Sequence, residues 1–243
     1  MYSLLKKEIS SFFSTITGYV VIVIFLIVNS LFMWIFPGAY NIFDSGYASL
    51  DTLFSIAPWV FLFLAPAVTM RVFADEKKSG TIELLLTRPL SDFQIIFAKY
   101  LAALVLVLFS LIPTLIYFYS VYQLGNPVGN IDMGGTWGSF IGLFFLASIY
   151  VAIGILSSSI TDNQIIAFII GMLLCFLIYI GFDFASQLQL FKSVNSLIIN
   201  LGINEHYKSM SRGVIDSRDI IYFISVIAFF LLITKTILQS RRW

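Results

Sequence analysis

The chain has 243 residues, of which 59% are hydrophobic and only 11% are charged. Because a soluble domain usually carries about 25% charged residues, this composition excludes an ordinary soluble protein and predicts one surrounded by lipid. A net charge of +1 argues against a nucleic-acid partner, since neutralising phosphates requires a basic excess. The single cysteine, Cys175, lies in an apolar run and is predicted to be a small buried hydrophobe.

The first predicted element is an amphipathic helix over residues 1–16. Apolar side chains recur there at helical spacing, and lysines and serines occupy the other side: Leu5, Ile9, Phe12, Phe13 and Ile16 against Lys6, Lys7, Ser10, Ser11 and Ser14. Such a helix is expected to lie flat in the membrane interface. Simple anchoring and a functional role are both open for it.

Six uncharged intervals then predict six transmembrane helices, because a span needs about 20 mostly apolar residues. The predicted spans are residues 17–36, 53–71, 98–122, 136–156, 164–182 and 220–238. Lys235 interrupts the last one, but a lysine near a helix end can extend its ammonium group to the interface. The fold class is therefore predicted to be an all-α membrane protein whose residues 1–243 form a single membrane domain.

Lysines and arginines predict the orientation, because cytoplasmic segments carry an excess of them. If the N-terminus is cytoplasmic, ten of the 14 lie inside and four lie outside. The inside set is Lys6, Lys7, Arg71, Lys77, Lys78, Arg88, Lys99, Lys235, Arg241 and Arg242, and the outside set is Lys192, Lys208, Arg212 and Arg218. Both termini are therefore predicted to be cytoplasmic. A third cytoplasmic loop, residues 157–163, carries no lysine or arginine.

The cytoplasmic segment 72–97 contains several signals that begin and end helices. The second span is predicted to continue in water as far as Lys78, and Gly80 then ends it, because glycine readily adopts the positive φ that terminates helices. A short helix over residues 81–87 is predicted next. Its first turn contains Glu83, which interacts favourably with the positive end of the helix dipole.

The second half of this segment has its own signals. Three consecutive leucines follow Glu83, and Pro89 then ends the short helix. Ser91 and Gln94 have the spacing of a capping box that starts the next helix. A leucine-bearing helix held between two breaks favours a rigid dock for another protein, with leucines filling a cleft and charges setting the orientation. A connector that lies on the inner leaflet is the alternative.

The outer segment, residues 183–219, is predicted to lie between the fifth and sixth spans. Its first part has an apolar stripe that could float on the outer leaflet or dip into the protein: Leu190, Phe191, Val194, Leu197, Ile198 and Leu201. Further on, Gly213 is expected to make a turn, and Asp216 or Ser217 is expected to cap the last span.

The sequence does not contain the groups that an enzyme would need. Its one histidine, His206, lies in the outer segment and is expected to be solvated, and no G-x-S-x-G motif accompanies it. No P-loop motif is present, so another subunit would have to supply ATP hydrolysis. No predicted span carries a charge near its middle, which weakens the case for an ion-coupled carrier. The chain is therefore predicted not to be an enzyme.

Two stretches resemble a known family. Residues 76–90, EKKSGTIELLLTRPL, resemble the E-x-x-x-G-T-x-E-x-L-L-x-x-P signature of type-2 ABC transporter permeases, which are the six-span membrane subunits of ATP-driven exporters. Residues 211–219, SRGVIDSRD, resemble a stretch before the last span in the gliding-motility branch of that family. The resemblance covers essentially the whole chain and implies the type-2 exporter permease fold in a bacterial cytoplasmic (inner) membrane.

The resemblance also implies partners and residue roles. It implies a separate ABC ATPase subunit of the GldA type that binds ATP and magnesium, while this chain binds no cofactor. It further implies either a second membrane subunit of the GldG type or a second copy of this chain. Contact with the ATPase is implied for Glu76, Gly80, Thr81, Glu83, Leu84, Leu85, Leu86, Thr87 and Pro89. A structural or gating role is implied for the outer motif, Arg212, Gly213, Asp216 and Asp219.

The mechanism that the resemblance implies is alternating access, in which closure of two ATPases pushes the coupling element around residues 80–89 of each permease subunit and rocks the spans. Two other functions stay open. The chain could be a non-transporting assembly or anchoring component of gliding or secretion machinery, or a secondary carrier that works alone.

Overall fold

The described part of the chain, residues 1–86, 90–187 and 195–240 of a computed structural model, contains helices and turns and no strand. Six helical stretches in it are long and apolar enough to cross a membrane. They are Ile16–Ile35, Asp51–Lys78, Asp92–Leu124, Met133–Ile160, Gln164–Gln187 and Ser217–Gln239. The predicted all-α class with six long apolar helices is confirmed. Most of these stretches exceed the predicted spans because polar residues at their ends continue the helix.

The helices follow one another with short connections. The first six are α1 Tyr2–Ser14, α2 Ile16–Ser30 with a π-helical extension Leu31–Ile35, α3 Ile42–Ser45, α4 Asp51–Thr69, α5 Arg71–Lys78 and α6 Thr81–Leu86. The next two are α7 Asp92–Leu111 and α8 Leu115–Leu124, joined by a 3₁₀ turn at Pro113. The remainder are α9 Met133–Ile160, α10 Gln164–Gln187, α11 Asn195–Leu201, α12 Ile203–Ser211 and α13 Ser217–Gln239.

Helix α9 is the centre of the bundle and contacts α4, α5, α7, α10, α12 and α13. Glycines let its neighbours approach closely: a Cβ atom on Gly138 would lie 2.2 Å from the carbonyl oxygen of Met210 in α12, and one on Gly154 would lie 1.9 Å from Thr69 Oγ1 in α4. Close packing of this kind replaces the hydrophobic driving force that lipid cannot supply between helices.

Helix α10 shows how an apolar sequence divides between protein and lipid. Residues four apart form a buried stripe of Ala167, Gly171, Cys175 and Tyr179. Other residues of the same helix are exposed, including Ile165, Ile169, Leu173 and Leu177. The prediction that Cys175 is a buried hydrophobe is confirmed. The helix runs on to Gln187 and so includes residues 183–187 of the predicted outer segment.

The prediction of a loop over residues 157–163 is wrong for its first part, because α9 continues to Ile160. Ser157, Ser158 and Ser159 are all buried. The Ser157 hydroxyl donates to the Gly154 carbonyl oxygen at 2.8 Å, so this polar side chain is satisfied within its own helix. Three serines in a row therefore do not end the helix here.

Ser158 instead bridges the junction between α4 and α5 at Met70. Its Oγ accepts hydrogen bonds from the backbone N–H groups of Phe73 and Ala74, at 3.0 and 3.1 Å, and donates to the Met70 carbonyl oxygen at 2.8 Å. The first N–H groups of α5 would otherwise lack acceptors inside the protein. The serine thus holds α5 in line with α4 and ties both helices to α9.

We expect Gly154→Ala to destabilise the protein by about 1–3 kcal/mol, because the added methyl group would overpack the α4–α9 contact at Thr69. Gly181→Ala is the matched control: a Cβ there meets nothing within 4 Å, so the substitution is expected to be neutral or slightly stabilising. Thermal unfolding in detergent measures both variants. A Gly154→Ala variant as stable as the control would contradict this close packing.

Candidate coupling site

The charged side chains of α5 reach several different helices. Arg71 donates hydrogen bonds to the hydroxyls of Thr15 and Thr17, both at 3.0 Å, at the junction of α1 and α2. Asp75 accepts a hydrogen bond from the Gln164 side chain at the start of α10, and Lys77 donates to the Ser159 carbonyl oxygen in α9. Because each contact lies on a different neighbour, α5 cannot move without moving the helices around it.

The strongest of these connections is an ion cluster of Glu8, Glu76 and Lys99, hereafter the Lys99 cluster. Lys99 Nζ lies 2.8 Å from Glu76 Oε1 and 3.1 Å from Glu8 Oε1, and it donates a third hydrogen bond to the Val72 carbonyl oxygen at 3.0 Å. The Lys99 side chain is only 1% exposed, so all three ammonium donors are satisfied inside the protein. The cluster joins α1, α5 and α7.

The cluster is held in place from several sides. The Lys99 ammonium lies 5.2 Å from the centre of the Phe73 ring, within the range of a cation–π contact. Lys7 lies 3.5 Å from Glu8 Oε1 and 3.9 Å from Glu76 Oε1, but its side chain is 63% exposed. Exposed pairs of this kind contribute at most about 1 kcal/mol. Lys99 is therefore the cation on which the two carboxylates depend.

Sequence reasoning did not recognise Glu8 or Lys99 as cluster members. Glu8 lies on the buried stripe of α1, between Leu4 and Phe12 at intervals of four residues. Lys99 lies two turns inside α7 and is the one charge between Asp92 and Asp132. Two signals could have indicated the cluster: a carboxylate on a buried stripe and a lone lysine in an apolar helix. Both residue types need a partner of opposite charge when they are buried.

Gly80 separates α5 from α6, as predicted. Its φ of +71° is the left-handed conformation that glycine adopts most easily. Ser79 finishes α5: its hydroxyl donates to the Asp75 carbonyl oxygen at 2.7 Å and lies 2.8 Å from the Thr81 hydroxyl. This hydroxyl pair connects the end of α5 to the first residue of α6.

Helix α6 presents polar side chains to solvent. Thr81 and Glu83 are exposed, and Ile82 packs partly against the core. Leu84, Leu85 and Leu86 belong to this helix, while the predicted positions Thr87 and Pro89 lie outside the described residues. The contact with an ATPase implied for these residues stays a prediction. Among them, Glu76 is engaged within the chain, whereas Glu83 is available to a partner.

The capping box at the start of α7 is confirmed. Gln94 N–H donates to Ser91 Oγ at 3.3 Å, and Ser91 N–H donates back to Gln94 Oε1 at 3.1 Å. The next residue, Asp92, is buried and accepts a hydrogen bond from Gln239 Nε2 at 3.1 Å. The predicted order of helix, glycine break, short helix and capped helix is thus present, and the end of α13 is joined to it.

The outer motif lies at the opposite end of the bundle and has a structural explanation. Gly213 has a φ of +83°, and a Cβ there would lie 2.8 Å from the Gly134 carbonyl carbon. Asp216 caps α13 by accepting the Arg218 N–H at 2.9 Å, as expected. Arg212 ends α12 and is exposed. The turn and the cap are confirmed, whereas a gating role for these residues is untested.

The expectation that His206 is solvated is wrong. Its Nδ1 lies 2.7 Å from Asp219 Oδ1, its Nε2 lies 2.8 Å from the Asn200 carbonyl oxygen, and the ring stacks on Tyr222 at 3.8 Å. Both ring nitrogens therefore have partners inside the protein, and the contact with the buried Asp219 side chain ties α12 to α13.

A second tyrosine fixes α12 from the other side. The Tyr207 hydroxyl donates to the Phe54 carbonyl oxygen in α4 at 2.7 Å. Burial raises the pKa of Tyr207 well above its usual range, so the hydroxyl keeps its proton and remains a donor. No group of three or more His, Cys, Asp or Glu side chains that could hold a metal ion occurs in the described ranges.

We expect Gly213→Ala to destabilise the protein more than Gly46→Ala. Both glycines have a positive φ, +83° and +70°, but a Cβ on Gly46 meets nothing within 4 Å. Gly46→Ala is the control and should lose only about 1 kcal/mol of stability through backbone strain. In Gly213→Ala the added methyl group also collides with backbone atoms, so the loss should be larger. Thermal unfolding compares the two; equal losses would show that the approach of α9 to the outer motif is not tight.

The fold and the site together define a polytopic helical membrane protein with a short helix, α6, that follows a glycine break at one end of its bundle. The sequence model described as "ABC-2 family transporter protein" matches residues 4–238. The chain therefore belongs to this family and is a multi-pass membrane permease component of an ABC transporter, as distinct from the catalytic ATPase. Members of the family normally work with an ABC ATPase partner. A comparison with curated protein sequences gave no significant match.

Proposed function

We propose that this chain is the permease subunit of an ATP-driven exporter and that α6 is the surface on which its ATPase subunit docks. The observation that carries the proposal is the attachment of α5 to its neighbours. Side chains of α5 contact α2, α7, α9 and α10, and Lys99 of α7 continues the connection to Glu8 of α1. Helix α6 follows α5 after two residues. A force on α6 would therefore be transmitted to four helices at once.

The proposed orientation places α5, α6 and both termini in the cytoplasm. The lysine and arginine distribution supports this orientation. The buried Cys175 is the only cysteine of the chain, so cysteines introduced elsewhere can be labelled against a low background. In intact cells, a membrane-impermeant maleimide should label Val214→Cys and not Glu83→Cys. The reverse pattern would contradict the orientation.

We further propose that the transporter is of the gliding-motility type, with this chain in the role of a GldF-like subunit. The partners would be a GldA-like ATPase and either a GldG-like membrane subunit or a second copy of this chain. The resemblance of residues 211–219 to that branch supports the assignment. The bacterial cytoplasmic membrane would be its location, and ATP and magnesium would bind to the ATPase alone.

Co-purification from the source membrane tests the proposal. A tagged permease should retain a P-loop ATPase in a fixed ratio, whereas a carrier that works alone should retain none. An anchoring component could also retain an ATPase, so the second readout is ATP-dependent transport by the reconstituted complex. Retention without any ATP-dependent movement of material across the membrane would favour the anchoring function.

A further inference from the structure

Two adjoining cavities lie at the end of the bundle where α4 begins. The first, of about 640 Å³, lies between α4, α9, α10 and α12 and is open to the surface; we call it the polar chamber. The second, of about 460 Å³, runs between α2 and α4, and we call it the apolar groove. Ser55 and Trp59 of α4 line both cavities, so one ligand can occupy the two together.

The polar chamber holds charges of both signs. Asp51, Asp183 and Lys208 line it, and none of the three forms an ion pair in the described part of the chain. Asp183 Oδ2 accepts a hydrogen bond from Asn204 Nδ2 at 2.7 Å, which orients this carboxylate. A chamber with two carboxylates, one of them oriented, and a lysine complements a group that carries both a cation and an anion.

Ser139 of α9 adds a hydroxyl to the wall of the same chamber. Most other serines in the spanning helices donate to a carbonyl oxygen of their own helix, as Ser148 does to Phe144 at 2.7 Å. The Ser139 side chain makes no hydrogen bond with any described residue, so its hydroxyl can donate to a ligand in the chamber.

The apolar groove has the dimensions of a lipid chain. Its walls are almost entirely hydrophobic and include Val28, Ile56, Val60 and Phe63. Along α4 it extends from Ser55 to Leu64, nine residues or about 14 Å, which is close to the roughly 15 Å of hydrocarbon in one leaflet.

Trp59 stands at the boundary between the two cavities. Its ring is 44% exposed and meets Tyr179 edge-to-face at 5.6 Å. Tryptophan and tyrosine are enriched where lipid headgroups meet the hydrocarbon. Trp59 lines both cavities and Tyr179 lines the polar chamber, so residues of this type lie where the polar and apolar walls meet.

We infer that the two cavities bind one phospholipid with a primary-amine headgroup, such as phosphatidylethanolamine. The ammonium group lies by Asp51 and Asp183, the phosphate lies by Lys208, and one acyl chain fills the groove beside Val60. A choline headgroup lacks N–H donors for the carboxylates, and a glycerol headgroup lacks the cation. This inference does not depend on the proposed ATPase partner.

Native mass spectrometry of the purified full chain tests the inference. The protein is exchanged into detergent with equal amounts of palmitoyl-oleoyl phosphatidylethanolamine, phosphatidylcholine and phosphatidylglycerol. We expect one retained lipid per chain and a preference for phosphatidylethanolamine of about tenfold, the effect of one charge-assisted hydrogen bond. Equal retention of the three lipids by the wild-type chain overturns the inference, and this comparison needs no variant.

Two pairs of variants assign the site. Val60→Trp fills the groove and should lower retention at least tenfold, whereas Leu232→Trp, on an exposed part of α13, should not. Asp183→Asn keeps an acceptor for Asn204 and should reduce the preference for phosphatidylethanolamine, whereas Asp162→Asn, near the other end of α10, should not. Three results would each overturn the inference. Lipid retention could fall in both tryptophan variants, or the preference for phosphatidylethanolamine could stay unchanged in Asp183→Asn. The purified protein could also be a lipid-free dimer in which the second copy occupies the groove.

Discussion

We expect Lys99→Met to lower the unfolding temperature by about 10 °C. The substitution keeps the length of the side chain but removes the buried cation of the Lys99 cluster, and leaves Glu8 and Glu76 facing each other with side chains only 10% and 15% exposed. Breaking a buried ion pair from one side costs about 3–5 kcal/mol, and for a chain of this length each kcal/mol corresponds to about 2–4 °C. Thermal unfolding in detergent measures the shift.

Two control variants separate burial from charge. Lys7→Met removes a cation that approaches the same carboxylates but is 63% exposed, so its effect should stay below about 1 kcal/mol. The triple variant Glu8→Met, Glu76→Met and Lys99→Met removes all charges together and should regain most of the lost stability, because a buried ion cluster can be replaced by apolar side chains at little cost. Equal effects of Lys99→Met and Lys7→Met would contradict the buried position of Lys99.

The second large effect is expected at α6. Glu83→Arg, or Leu84→Asp together with Leu85→Asp, should leave the protein inserted and reduce the ATPase activity stimulated by the permease at least tenfold. Glu83 is exposed and makes no ion pair in the described part of the chain, so reversing its charge should not affect folding. A charge placed at the centre of a docking surface typically costs several kcal/mol of binding energy.

The matched control for Glu83→Arg is Asp162→Arg. Asp162 is also an exposed carboxylate next to a helix, but it lies between α9 and α10. Membrane insertion, ATPase retention and ATP hydrolysis are measured for both variants. If the two lose stimulation equally, or if Glu83→Arg loses none, α6 is not the dock.

Local signals made much of the fold predictable. Apolar runs located the six long helices, because a segment in lipid must satisfy its backbone hydrogen bonds internally. Gly80 was predicted correctly as a break and Ser91 as a cap, and the cap of α13 is Asp216 from the predicted pair Asp216 or Ser217. Each of these residues acts on backbone groups within three residues of itself. Predictions of this kind need no knowledge of the tertiary structure.

Contacts between distant segments were not predictable in the same way. Glu8 and Lys99 are 91 residues apart, and nothing local indicates that they meet. In the sequence, His206 resembles a loop residue, whereas in the structure α12 and α13 bring it next to Asp219 and Tyr222. In the sequence, Ser158 resembles a loop residue, because the groups it bonds to lie far away in the chain, at the junction of α4 and α5. In each case the tertiary contact supplies the partner that makes a buried polar side chain stable.

Site-specific photo-cross-linking tests the central claim, that α6 is the docking surface for the ATPase, most directly. A photoreactive amino acid replaces Glu83 in one variant and Val214 in a second, where Val214 is 69% exposed near the start of α13. In native membranes, we expect a cross-link to a P-loop ATPase from position 83 and none from position 214. No cross-link from position 83, or an equal one from position 214, would contradict it.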